Sequence, residues 1–239
     1  MKKIFLLLIF ISSLFSFQLW DSYTKNKVVI DRDVYKVYYD EKYKEPFITY
    51  YVLEYKNVRK RTRKDCKFHY SPVIDEKYQY NPNFYLGKGF DRGHSANKAS
   101  LDDTYYHKCL TYEMINIVPQ THYFNAYIWG LTEKFERILV KEYKKVYVFN
   151  IFIQDGKKIK GLYIPKYQIK LIYVPKKKRF YGFIFDRKYQ FIKINPLEAF
   201  YLAKFDGHYR EAFLYRYGIR FYIRANKPVL YYRGKNIFK

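Results

Sequence analysis

Cysteine is nearly missing from this chain, with only Cys66 and Cys109 among 239 residues. Two thiols exclude a disulfide-dense scaffold, and a tetrahedral cysteine metal site needs more ligands than these. Glycine (10) and proline (8) are too sparse for a collagen-like or low-complexity chain. No Gly-rich nucleotide loop, zinc signature or Gly-x-Ser-x-Gly elbow occurs, nor any internal repeat or interdomain linker. Acidic residues also run short, 22 Asp and Glu against 46 Lys and Arg, for a formal charge of +24. That imbalance excludes a preference for cationic ligands and favours polyanions, either nucleic acid or an anionic envelope surface.

The residues that are abundant make a globular composition, 49% hydrophobic and 23% aromatic. Met1-Lys2-Lys3, the apolar run Ile4 to Ile11 and the small residues Ser12, Ser13 and Ser16 have the layout of an export signal. The apolar stretch to Phe17 is short against the about 20 residues of a membrane span. The organisation expected is therefore a signal peptide over 1–17 and a single domain over 18–239, in a periplasmic or secreted protein, with an uncleaved membrane anchor as the alternative. After export Cys66 and Cys109 would meet oxidising conditions. Pairing them closes a 43-residue loop, worth about 4 kcal/mol on the loop-entropy estimate, with two free thiols as the alternative.

β-branched and aromatic runs at Val34 to Tyr39 and Phe47 to Leu53, split by the charged turn Asp40 to Pro46, predict adjacent strands. Val146 to Ile153, Gly161 to Val174 and Arg179 to Phe185 read likewise, and the tail Phe213 to Phe238 suggests more strands. The basic run Asn57 to Lys67 reads as a solvated loop, and Tyr70 to Gly89 as irregular. The strongest helix runs from Asn125 to Lys145. There Ile128, Leu131, Phe135, Ile138 and Leu139 recur at three- and four-residue steps, facing the core, with Asn125, Trp129, Glu133 and Arg137 in a row beside them. A short helix is expected within Pro196 to Phe205. The fold class is α+β, with a central antiparallel sheet.

Residues 87 to 97 read Gly-Lys-Gly-Phe-Asp-Arg-Gly-His-Ser-Ala-Asn. A histidine accepts a proton near neutral pH, and arginine balances phosphate charge, so Asp91-Arg92-Gly93-His94 suits phosphodiester attack. Asn116-Ile117-Val118-Pro119-Gln120 comes next, then Asn125, Trp129 and Glu133. In order and spacing these residues resemble the DNA/RNA non-specific endonucleases, which carry a ββα-metal finger and include secreted bacterial nucleases and mitochondrial endonuclease G. The resemblance spans somewhat more than half the chain, from the Tyr35 to Leu53 strands to Ile164-Pro165-Lys166.

It implies an Mg²⁺-dependent endonuclease, with Mn²⁺ or another divalent ion as an alternative, acting on DNA and RNA. His94 would be the general base, Asn125 the one protein ligand of the metal, and Glu133 the carboxylate that orients metal-bound water. Arg92 and Arg137 would lie near the scissile phosphate, Asn116 would support the site, and Asp91 would hold the loop. Arg63 is a weaker correspondence, since Arg59 and Arg61 compete for the same match. His122, three residues before Asn125, lies close enough to reach the metal or a phosphate. His69, His107 and His208 have no partners at metal-ligand spacing. The sequence departs from the family where Ser95-Ala96-Asn97 lacks a proline, where Thr132 replaces a leucine, and where no glycine follows Val148-Phe149. A second reading is a catalytically weak, basic nucleic-acid-binding or envelope-binding protein built on the same scaffold.

Overall fold

The computed structural model describes residues 27–205 and 214–238. The expected signal peptide and His208 lie outside them. Strands β1 (Lys27–Arg32), β2 (Tyr35–Asp40) and β3 (Glu45–Glu54) form an antiparallel meander. After the short helix α1 (Tyr55–Arg59) come β4 (Asp91–His94), helix α2 (Tyr105–Thr111) and β5 (Ile117–Gln120). Helix α3 (Gly130–Tyr143) leads into β6 (Lys145–Ile153), the two-residue strands β7 (Lys158–Ile159) and β8 (Leu162–Tyr163), then β9 (Tyr167–Val174) and β10 (Arg179–Asp186). Helix α4 (Pro196–Ala203) and β11 (Lys204–Phe205) precede β12 (Ile219–Arg224), β13 (Lys227–Tyr232) and β14 (Lys235–Asn236).

The central sheet has seven strands in the order β1-β2-β3-β6-β9-β10-β11, every neighbouring pair antiparallel. Its inner strands are apolar at nearly every position because both faces are covered, and alternation sends successive residues to opposite sides. Val146, Val148 and Phe152 of β6 join a core with Ile128, Trp129, Leu139 and Val140 on the α3 side, which α4 extends with Ala199, Phe200 and Ala203. Tyr147, Phe149 and Ile151 face the other way, onto Ile219, Leu230 and Tyr232 of the β12-β13-β14 sheet and Ile237 just beyond it. The helices therefore cover one face of the central sheet and a second small sheet covers the other.

Several local expectations are corrected. Glu45 and Pro46 already belong to β3, and the supposed charged turn is partly interior: Asp40 is buried against Lys27 at 2.6 Å, and Glu45 accepts a hydrogen bond from Gln154. The solvated loop opens instead with α1. Pro165 divides the expected Gly161 to Val174 strand into β8 and β9. Helix α2, capped by the Thr104 hydroxyl accepting from the His107 amide at 3.0 Å, was not legible in the sequence. Cys109 on α2 is joined to Cys66, Cα to Cα 5.3 Å, so the two are not free thiols.

The long helix also differs. Phe124–Trp129 form a π-helical turn, and regular α-helix starts only at Gly130. One residue beyond α spacing rotates α3 relative to the segment before the turn. Trp129, expected in the polar row, is buried, whereas Ile138, expected in the core, is 57% exposed. Thr132, in the family's leucine position, is buried and meets its polar need within the helix, its hydroxyl donating to the Trp129 carbonyl at 2.7 Å.

Candidate active site

β4 and β5 pair with Asp91 opposite Gln120 and His94 opposite Ile117, and the π turn and α3 come after them, which makes the ββα unit. Gly93 is required at the centre of this hairpin: a Cβ there would stand 2.1 Å from Oε1 of Gln120, a buried side chain that donates through Nε2 to Gln168. Between the hairpin and α3 lies a cavity of about 720 Å³. Asp91, Arg92, His94, His122, Asn125, Glu133 and Arg137 all line it.

The structure thus brings together all but two of the residues singled out in the sequence. Asn116 is fully buried beneath the site, where its Oδ1 accepts from the Ala96 amide at 2.6 Å and its Nδ2 donates to the Ala96 and Thr111 carbonyls. It clamps the backbone just past His94. Arg63 is exposed and does not line the cavity. Its segment is tied to Asp102 instead, by the Thr62 amide to the Asp102 carbonyl at 2.8 Å and by Arg61 to the Asp102 carboxylate at 3.1 Å.

His94 sits between Phe68 and Tyr112, ring centroids 5.4 and 5.2 Å away. Its Nε2 is buried and has no hydrogen-bond partner. The ring lines the cavity, and a neutral imidazole keeps one of its two nitrogens as an acceptor. Burial, reinforced by the charges of Lys98 and Arg92, pushes the imidazole down to about 3. The ring stays an unprotonated acceptor at any neutral or mildly acidic pH.

The same shift has a stability consequence. The folded protein resists a proton that the unfolded chain takes up near 6.5, so this contribution is intact above that pH and is lost as pH falls toward 3. Between pH 7 and pH 4 the loss is at most about 3 kcal/mol, and less to the extent that the ring opens on the cavity. Urea unfolding of wild type and His94→Asn over this range should show a shallower decline in the variant, and parallel curves would contradict the assignment.

Asp91 holds the start of the helix to β4. Its Oδ2 accepts from Asn125 Nδ2 at 3.0 Å and from His122 Nδ1 at 2.9 Å. With its amide nitrogen committed to a carboxylate, Asn125 keeps Oδ1 as its free acceptor end. Glu133 has its carboxyl pushed up to about 7 by burial, against the pull of Lys170, with Glu136 adding to the rise and Arg137 and Lys98 opposing it. A carboxylate so poorly compensated gains from a nearby cation. Among the described residues no group of three or more His, Cys, Asp or Glu could hold a metal ion. An ion seated here would take one amide oxygen and keep most of its water, the habit of Mg²⁺. The donor set fits such an ion.

The sequence reading missed several members of this site. Lys98, Lys134, Asn97 and Phe68 line the cavity. Lys98 lies in the loop after His94, and its charge acts on both His94 and Glu133. Phe68 carries the Arg92 guanidinium 4.2 Å over its ring, and the Arg92 NH1 donates to the Pro82 carbonyl at 3.1 Å. Where the family has proline, Asn97 anchors the loop, its Oδ1 accepting from the Ala99 amide at 3.0 Å and its Nδ2 donating to Glu136 at 2.9 Å. Asn150, in place of glycine, donates to the Ser95 carbonyl at 2.5 Å.

Comparison with known proteins places the chain in a family. The sequence model of the family described as DNA/RNA non-specific endonuclease matches residues 20–200. The chain is similar to mitochondrial endonuclease G of Bos taurus, 33% identical over 93 residues, which are 36% of this chain and 29% of that protein. It is similar to a nuclease of Nostoc sp., 36% identical over 97 residues, 39% of this chain and 35% of that one. The chain thus spans about a third of the length of these relatives. A crystal structure of an EndoG/EndoGI complex superposes with a TM-score of 0.66 at 21% identity, covering 79% of this chain and 82% of that chain, which shows a shared fold.

Proposed function

The chain belongs to the DNA/RNA non-specific endonucleases, and from that premise we propose that it hydrolyses phosphodiester bonds of DNA and RNA in the β4-β5-α3 cavity with a divalent metal ion, Mg²⁺. The observation that carries this reading is the convergence on one cavity of a neutral, desolvated His94 with the Asn125 amide and the Glu133 carboxylate.

In this mechanism His94 accepts the proton of the attacking water at Nδ1, the ring nitrogen other than the buried Nε2, and its aromatic neighbours Phe68 and Tyr112 hold the ring in place. Arg92, braced by Phe68 and the Pro82 carbonyl, holds a phosphate oxygen. Arg137, whose NH1 is buried without a partner, is a second donor awaiting an anion. Asn125 and Glu133 would hold the metal, through Asn125 Oδ1 directly and through Glu133 by way of its water ligands. Bound there, a divalent ion supplies positive charge that stabilises the leaving oxygen. Asp91 keeps the Asn125 amide oriented. Contacts confined to phosphate and sugar carry no direct sequence information, so cleavage would be non-specific.

Lys98, which lines the cavity with its Nζ 5.5 Å over the Tyr112 ring, belongs to the same machinery as a cation for the phosphate. Lys98→Gln should lower kcat/KM on a short DNA duplex about 10- to 100-fold, the worth of one charge-assisted hydrogen bond. Lys98→Arg should recover much of the loss, and Arg63→Gln should change the rate less than about 3-fold, as for a surface charge outside the site. Steady-state kinetics of the three variants checks this.

The Lys2-Lys3 leader pattern and the Cys66–Cys109 bridge support action outside the cytoplasm, in the periplasm or beyond the cell. Incubating plasmid DNA and ribosomal RNA separately with the protein tests the substrate class. Both should be degraded to fragments of no preferred size. Discrete products, or degradation of one polymer alone, would overturn the non-specific reading.

A further inference from the structure

The small sheet on the far side of the central sheet, from Ile219 to Asn236, lies beyond the segment matched to the family. Its inner face, with Ile219, Leu230 and Tyr232, is committed to the core. Its outer face is not. Residues 214–238 carry six Lys or Arg and no Asp or Glu.

The pairing register sets Arg220 opposite Tyr231, Tyr222 opposite Val229 and Arg224 opposite Lys227. Alternation puts these six side chains on one surface, away from the core. Arg220, Tyr222, Arg224 and Lys227 are exposed, and Tyr222 is 44% exposed. The rings of Tyr222 and Tyr231 meet edge to face at 5.2 Å, and the Arg220 guanidinium lies 4.3 Å over the ring of Tyr215, itself 56% exposed. Arg220 and Arg224 stand about 14 Å apart along β12, with the Tyr222 ring between them.

We infer that the outer face of the β12-β13 hairpin is a second binding site, for single-stranded nucleic acid. Two features select that ligand. Cations with no acidic residue within the described segment 214–238 match a polyanion, and aromatic rings set between them on a sheet offer stacking platforms to unpaired bases. A duplex hides its base faces and could use only the charges. The site sits across the central sheet from the catalytic cavity, so it tethers a long strand and takes no part in cleavage. It shares only its ligand class with the proposed nuclease activity.

The experiment is fluorescence anisotropy of a labelled 20-nucleotide oligothymidylate on the full chain in EDTA, which reads binding without cleavage. The variant Arg220→Gln/Tyr222→Ser/Arg224→Gln should bind at least 10-fold more weakly, and its slope of log K against log salt should be shallower by about 1.4, two phosphate contacts at about 0.7 each. Arg224→Glu/Lys227→Glu, confined to the hairpin tip and neutral to packing, should weaken binding as well. Hydrolysis of bis(4-nitrophenyl) phosphate, too small to span both sites, should match wild type in both variants. Unchanged affinity and salt slope in both would overturn the inference. So would loss of binding to phosphatidylglycerol vesicles with retention of the oligonucleotide, which would make the face a membrane contact. A wild type that binds through this face but cuts nothing would refute the nuclease reading alone.

Discussion

Replacing His94 by alanine should lower the rate of phosphodiester cleavage by about 10²- to 10⁴-fold, the contribution of a positioned general base, with little loss of folded structure. The ring makes no hydrogen bond through Nε2 and is held only by Phe68, Tyr112 and the walls of the hairpin. Truncation therefore removes the proton acceptor without leaving a polar group unpaired. It also relieves the burial that pushes the imidazole down to about 3. The loss should fall on kcat, because Arg92 and Arg137 still engage the phosphate and KM is set by them. Single-turnover cleavage of a labelled duplex, with circular dichroism as the control on folding, separates these effects. An alanine variant within 3-fold of wild type would mean that another group activates the water.

The second large effect concerns stability. Glu136, one turn beyond Glu133, is fully buried and paired with an equally buried Lys170 at 2.7 Å. Its Oε2 also accepts from the Tyr51 hydroxyl at 3.0 Å, and its Oε1 from Asn97 at 2.9 Å and the Ser100 hydroxyl at 2.7 Å. Lys170 in turn lies 5.0 Å over the ring of Trp129. Glu136→Ala strands the ammonium without its hydrogen-bonded counter-ion in the core, at a cost of about 3–5 kcal/mol, unless Glu133, already under the pull of Lys170, takes over the pairing. The double variant Glu136→Leu/Lys170→Met removes both charges and should regain part of that, the share due to the stranded ammonium, while Tyr51, Asn97 and Ser100 still lose their acceptor. It should not regain activity, because Asn97 and Ser100 lose the carboxylate that anchors the loop bearing Lys98. Urea midpoints of the single and double variants test the pair. A single variant within 1 kcal/mol of wild type would show that solvent or Glu133 reaches Lys170.

The part of the site that was legible in the sequence lies on continuous elements. Asp91 to His94 form one strand, and Asn125, Glu133 and Arg137 succeed one another along a helix, so their spacing carries their geometry. The central strands were legible for a related reason, as β-branched and aromatic runs covered on both faces. The rest depends on partners far away in the chain. Glu136 resembles any charged residue of an amphipathic helix until Tyr51, 85 residues earlier, and Lys170, 34 later, close around it. Lys98 sits in a loop whose path is set by Asn97 reaching the same carboxylate. The π turn at Phe124–Trp129 leaves a trace only in packing, since apolar periodicity alone reads it as ordinary helix and misplaces Trp129 and Ile138. Arg63 shows the converse, a local match to the family whose side chain the Asp102 contacts of its neighbours leave outside.

The cavity lined by His94, Asn125 and Glu133 should cut nucleic acid with a divalent ion. Relaxation of supercoiled plasmid by the purified protein tests it most directly. Cutting should proceed in Mg²⁺, stop in excess EDTA and resume when Mg²⁺ is restored. Cutting that persists undiminished in EDTA, or a protein that leaves the plasmid intact under all three conditions, would contradict it.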